Sequence, residues 1–183
     1  DNRELRISKE ILKEYSKGLI ALSSSMKGEI GKAILMNFPS EKLDKIVDKY
    51  IEIFSKENFY LEIQANELPE TKVINDKFYD LAKEKNLELV ATNNVHYVDR
   101  DGYELQDIVI CIQSGWKLKD KNRKRAVSKE LYLKSKEEMQ RSLDERFHKA
   151  IENTNYIASL CNLEIKFGNL QFPYYEVPNQ YSG

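Results

Sequence analysis

Leu87-Glu88-Leu89-Val90-Ala91-Thr92-Asn93-Asn94-Val95-His96-Tyr97 is the stretch whose reading decides the fold. A short apolar run ends in polar residues and one imidazole, the pattern of a buried parallel strand that delivers side chains to the mouth of an α/β fold. A helical pattern precedes it from Leu68 to Asn86. Another follows from Asp101 to Ile112, with Asp101 and Glu104 at capping-box spacing. Helix, strand and helix in that order predict a βα unit.

Working outward, Ser8 to Tyr15 reads as a short helix capped by Ser8 and ended by Gly18, followed by Leu19 to Ser23 as a buried strand. Three serines with Gly28 and Gly31 predict a tight turn into a helix that runs through Leu35. The serines serve as turn and cap residues, or the helix start holds an anion. Pro39 and Ser40 open the clearest helix, where Leu43, Ile46, Val47, Tyr50, Ile51 and Phe54 line one face and Lys and Glu form a solvated surface on the other. Asn58 turns the chain into a strand over Phe59 to Gln64. Pro69 stands in the first turn of the next helix, whose buried stripe is Ile74, Phe78, Leu81 and Ala82. Past the central stretch, Ile108 to Ile112 is apolar on nearly every side, which predicts a deeply buried helix. A basic loop follows from Gly115 to Arg125. Trp116, Lys117, Lys119, Arg123, Lys124 and Arg125 are its candidate contacts to a DNA backbone or a stacked base, and a mobile surface loop is the plainer reading.

Composition bounds the function. With 183 residues, 41% hydrophobic and 32% charged, the chain can bury one sizeable core. Its 29 Lys and Arg nearly balance 30 Asp and Glu, so there is no overall electrostatic footprint for nucleic acid or an anionic membrane, and any DNA contact is local and weak. Cys111 and Cys161 lie inside apolar patterns and read as small core residues in a reducing cytoplasm. His148 reads as a surface or boundary residue. No run approaches the roughly 20 apolar residues of a membrane span. The opening Asp-Asn-Arg-Glu resembles no signal peptide, and the missing initial Met points to a piece of a longer chain.

Several motifs also carry a family resemblance. Ala91 to Tyr97, followed by Asp107 to Gly115, resembles the last metal motif of the PHP domain in the bacterial DNA polymerase III alpha subunit, Thr-Asn-Asp-x-His-Tyr, whose Asp and His bind metal. Here Asn94 takes the Asp position and His96 the His. Ser23 to Ile30 is similar to Leu-Ser-Gly-Cys-Leu-x-Gly-Glu, in which the Cys is a ligand in several members; Ser25 stands there instead. Glu62 and Gln64 match a further motif in which Asn66 replaces a His. Tyr132 to Met139 and Ala150 to Cys161 resemble Tyr-Leu-Lys-Ser-x-Glu-Glu-Met and Ala-x-x-Asn-Thr-x-x-Ile-Ala-x-x-Cys, and Phe172 to Pro178 resembles the linker out of the domain.

The resemblance implies a partial PHP-type (β/α)7 barrel of parallel strands alternating with helices, plus a C-terminal helical segment. Residues 1–115 would be its later βα units, 116–130 the basic loop, 131–166 its C-terminal helices and 167–183 the linker towards the polymerase core. It implies a cytoplasmic parent that is a DNA-directed DNA polymerase using Mg. The partners implied are the parent's remaining domains and replisome proteins. A multinuclear hydrolase needs several converging His, Cys and carboxylate ligands. Ser25 is a poor ligand, Asn94 is neutral and only His96 remains as a remnant, so the segment alone is expected to be inactive and free of cofactors, a scaffolding region with a degenerate metal site. The rival reading is an active PHP phosphoesterase or 3′–5′ proofreading exonuclease, which would carry Cys and Asp at those two positions. A barrel lacking its first strands exposes an edge, so the isolated segment is expected to self-associate there or to cover it with residues around Phe167 to Val177.

Overall fold

Ser8 opens the first helix as its side chain predicts, accepting a hydrogen bond from the Ile11 amide at 3.3 Å and starting α1 (Lys9–Glu14). The computed structural model describes residues 6–123, 125, 128–168 and 170. After α1 come β1 (Ala21–Leu22), α2 (Glu29–Leu35), α3 (Ser40–Phe54), β2 (Phe59–Gln64), α4 (Pro69–Lys85), β3 (Glu88–Thr92), α5 (Gly102–Ser114), α6 (Lys136–Ser142) and, past a 3-10 turn, α7 (His148–Leu160). The strands pair in parallel in the order β1-β2-β3, with Tyr60 opposite Glu88 and Gln64 opposite Thr92. The α/β class and the three consecutive parallel strands match the sequence reading. β1 is shorter than the Leu19 to Ser23 run suggested.

Strand alternation sorts β2 into two faces. Phe59, Leu61 and Ile63 join Ile30, Leu43, Val47, Ile74, Phe78 and Leu81 in one buried cluster under α2, α3 and α4. Tyr60, Glu62 and Gln64 take the other face, so the polar residues of β2 are excluded from this core by register. Tight approach brings α2 onto the turn after β1: a Cβ at Gly28 would lie 2.2 Å from the Ser23 carbonyl oxygen, and one at Gly31 would lie 2.1 Å from that of Ser25.

Backbone groups at a sheet edge must find partners once they leave water. β1 is only two residues long, so side chains complete the edge of β2 beyond it. The Glu62 amide donates to Ser23 Oγ at 2.9 Å, and Asn75 of α4 takes both groups of Gln64, accepting from its amide at 3.2 Å and donating to its carbonyl at 2.9 Å. On the far side, α7 runs along β3. Asn153 Nδ2 donates to the Leu89 carbonyl and Thr154 Oγ1 to the Ala91 carbonyl, both at 2.7 Å. β1 is also not the buried strand that its apolar run suggested: Leu19 and Leu22 are exposed, because among the described residues no strand pairs with its outer edge. The residues expected to cover it fall largely in 171–177, outside the described residues.

Three further expectations are corrected. α5 is not deeply buried; among its residues only Cys111 is, while Leu105, Ile108 and Ile112 face solvent. An all-round apolar helix signals burial only if something lies on every side, and α5 meets no other helix or strand extensively. Asp101 makes no side-chain cap, because its backbone is already helical and cannot present the carboxylate to the N3 amide. Cys161 is exposed, since α7 ends before it and the chain leaves the core there.

Candidate functional site

At the C-terminal ends of β2 and β3, polar side chains are joined in a line. Thr92 Oγ1 donates to Glu62 Oε1 at 2.5 Å and Gln64 Nε2 donates to the same oxygen at 3.3 Å. Asn66 Nδ2 then donates to Gln64 Oε1 at 3.2 Å, while Asn66 Oδ1 accepts from the Leu68 amide at 3.2 Å. Asn66 is buried, and this last bond closes an Asx-type turn around Glu67, whose φ of 58° lies in the left-handed region. Asn66 therefore shapes the entry to α4.

The other sequence-predicted site residues do not converge in the same way. Ser25 is buried, and among the described residues its Oγ has no hydrogen-bond partner. Asn94 and His96 are exposed, past the end of β3. The His96 backbone amide donates to the Leu131 carbonyl at 2.8 Å, which fixes the chain path, but among the described residues no hydrogen bond orients its imidazole. Metal-binding histidines are generally held through their second ring nitrogen. Among the described residues no three His, Cys, Asp or Glu side chains form a group able to hold a metal ion.

A buried ion pair that sequence reasoning missed lies beside these strand ends. Lys134, with a side chain only 1% exposed, places Nζ 3.0 Å from Glu130 Oε2, 3.0 Å from the Ala65 carbonyl and 2.7 Å from the Glu130 carbonyl. Its ammonium also stands over the Tyr132 ring. Glu130 is buried too and takes a second cation, the largely exposed Arg100. Burial pushes the Glu130 carboxyl upward, yet Lys134 and then Arg100 outweigh it and hold the group below its ordinary range. Asn93 donates from one amide nitrogen to the Glu130 and Tyr132 carbonyls, so the 128–134 segment is tied to the end of β3. The available signal was a lysine directly after the apolar run Leu131-Tyr132-Leu133, a poor place for an unpaired charge.

The basic loop is less available to DNA than its composition suggests. Arg123 is engaged in a two-pronged pair with Asp107 of α5, its side chain 5% exposed, and also donates to the Leu118 carbonyl at 3.1 Å. Lys117, Lys119, Arg125 and Trp116 remain exposed, and Lys124 lies outside the described residues. The clefts near the strand ends, of about 430 Å³ beside Gln64, Asn75 and Phe147 and about 330 Å³ beside Thr92, Lys134 and Thr154, include none of Ser25, Asn94 and His96 in their walls.

Residues 1–66 match the PHP domain family. Over 97% of its length the chain is similar to DNA polymerase III subunit alpha from Campylobacter jejuni (34% identity) and from Pseudomonas aeruginosa (36%), and over 94% to that from Deinococcus radiodurans (34%). The chain carries PHP-domain sequence and is a homologue of DNA polymerase III alpha subunits. It spans about 15% of the length of the first two relatives and 13% of the third. The PHP match ends at the buried Asn66, while the similarity to the alpha subunits continues through the ion pair and α7.

The buried pair yields a signed expectation. Glu130→Gln leaves the Lys134 ammonium without its carboxylate and should destabilise the protein by about 3–5 kcal/mol at pH 7. Because the folded-state pKa of Glu130 is depressed, its contribution is fully present above the ordinary value of 4.5 and is lost as pH falls through the lower folded value. Urea denaturation should therefore show the gap between wild type and Glu130→Gln closing below pH 4.5. A gap that is unchanged by acid would refute the assignment.

Proposed function

We propose that this chain is a scaffolding PHP region within a DNA polymerase III alpha subunit, and that its ancestral metal site is degenerate. The observation that carries the reading is the fate of the ligand positions: Ser25 is a buried hydroxyl, and Asn94 and His96 stand exposed beyond the strand. A metal-assisted hydrolase needs anionic or imidazole donors converging on one point to lower the pKa of bound water, and this donor set is a poor match for that task. The whole polypeptide would be the replicative enzyme, a cytoplasmic nucleotidyltransferase that copies DNA with Mg in a catalytic domain outside these residues. No described helix is long and apolar enough to cross a membrane. In this proposal residues 1–115 are later units of a (β/α)7 barrel, 116–130 the loop, 131–166 the closing helices and 167–183 the linker. The partners are the remaining domains of the subunit.

Two measurements test this. Metal analysis after dialysis should find zinc and manganese far below one ion per chain, with no release of nucleotides from DNA 3′ ends. Near-stoichiometric metal that disappears in His96→Ala would overturn the degenerate-site reading, whatever the activity result. DNA binding through Lys117, Lys119 and Arg125 should be sequence-independent, and fluorescence anisotropy should show it weakening more than about tenfold between 50 and 200 mM salt if some three phosphates are engaged. Tight binding that survives high salt would point to a preformed groove.

A further inference from the structure

α5 is a helix built to be covered. Leu105, Ile108 and Ile112 fall at i, i+3 and i+7, so they share one face, and they are 65%, 40% and 75% exposed. Trp116 and Leu118 extend the apolar surface beyond the helix end, both about half exposed. Other positions along the helix are engaged. Cys111 is buried, Asp107 is paired with Arg123, and a Cβ at Gly102 would lie 2.9 Å from the Tyr97 Cβ, so the start of α5 is pressed against the exit of β3. Among the described elements none packs extensively on the stripe. A helix of 13 residues is marginal alone in water.

We propose that the Leu105–Ile108–Ile112 stripe, with Trp116, is the surface on which a second domain of the same polypeptide packs through an apolar face. This rests on the scaffolding reading above and gives that scaffold its contact face. Two observations choose this occupant over a second copy of the chain. A helix this size is about 20 Å long and offers on the order of 300 Å² of contact, well short of the roughly 800 Å² per partner that a stable separate complex buries. A covalently connected domain needs far less, because tethering raises its effective concentration to about the millimolar range. The relatives also supply ample polypeptide for that role, since this chain matches only about 15% of their length.

The test is hydrogen exchange by mass spectrometry on the full-length polypeptide, wild type against Ile112→Asp. Exchange in 105–114 is expected to rise about tenfold or more, together with that of a peptide outside these 183 residues, while β2 stays protected. Leu105→Glu must reproduce the pattern, which separates loss of docking from a local folding defect. Change confined to α5, or none at all, overturns the proposal. If a stripe variant instead dissolves an oligomer seen by sedimentation, a second copy is the occupant and the proposal is also overturned. Should the stripe be silent while other peptides of 6–168 exchange faster once this chain is expressed apart from the rest, another face docks and scaffolding stands. If none of 6–168 differs between the two contexts, the scaffolding reading fails as well.

Discussion

A peptide group taken out of water must keep its hydrogen bonds, and in this molecule that requirement is met at the margins of a three-stranded sheet by side chains. Asn75 replaces the missing continuation of β1 along β2, and Asn153 with Thr154 replaces a fourth strand along β3. Leaving a buried carbonyl or amide unpaired costs about 1–3 kcal/mol, so these few contacts are comparable to a sizeable part of the net stability of an ordinary domain. They also fix geometry. Asn75 anchors α4 to the end of β2, and α7 is held in line with β3, which places the Ala150 and Ile151 side chains into the shared core.

The strand ends follow from the same frame. With β2 and β3 held in register, Glu62, Gln64 and Thr92 come together and are satisfied by one another and by Asn66. The Lys134 ammonium then supplies the buried positive charge of this region, balanced by Glu130 and the Ala65 carbonyl. A protein cation on a short tether is a durable way to hold loop carbonyls together, and it asks for no donors from Asn94 or His96.

Much of this was legible in the residues. Period-3.6 patterns located α3, α4 and the Ile74–Phe78–Leu81 stripe closely, because those helices are half buried and the burial pattern is the signal, while β-branched and aromatic content located β2. Ser135 and Glu138, three residues apart, form a capping box at the start of α6. The failures have a common cause. The burial of α5 was inferred from its own apolarity, and Cys161 was placed in the core for the same reason, although burial depends on what lies opposite. Asp101 and Glu104 had the spacing of a cap without the extended backbone that a cap requires. Asn75, Asn153 and Lys134 went unassigned because each bonds to backbone distant in sequence, 11, 64 and 69 residues away respectively. For the two asparagines the mid-helix position was the available hint, since poor helix propensity calls for a compensating contact.

Exchange of asparagine side-chain amide protons, followed by nuclear magnetic resonance, tests the framing of the sheet most directly. Asn155 lies two positions after Asn153 on an exposed part of α7 and serves as the internal reference. If Asn75 and Asn153 complete the sheet edges, their Nδ2 protons should exchange at least about tenfold more slowly than those of Asn155. Equal exchange at all three would contradict the account, because the edges of β2 and β3 would then be paired in some other way.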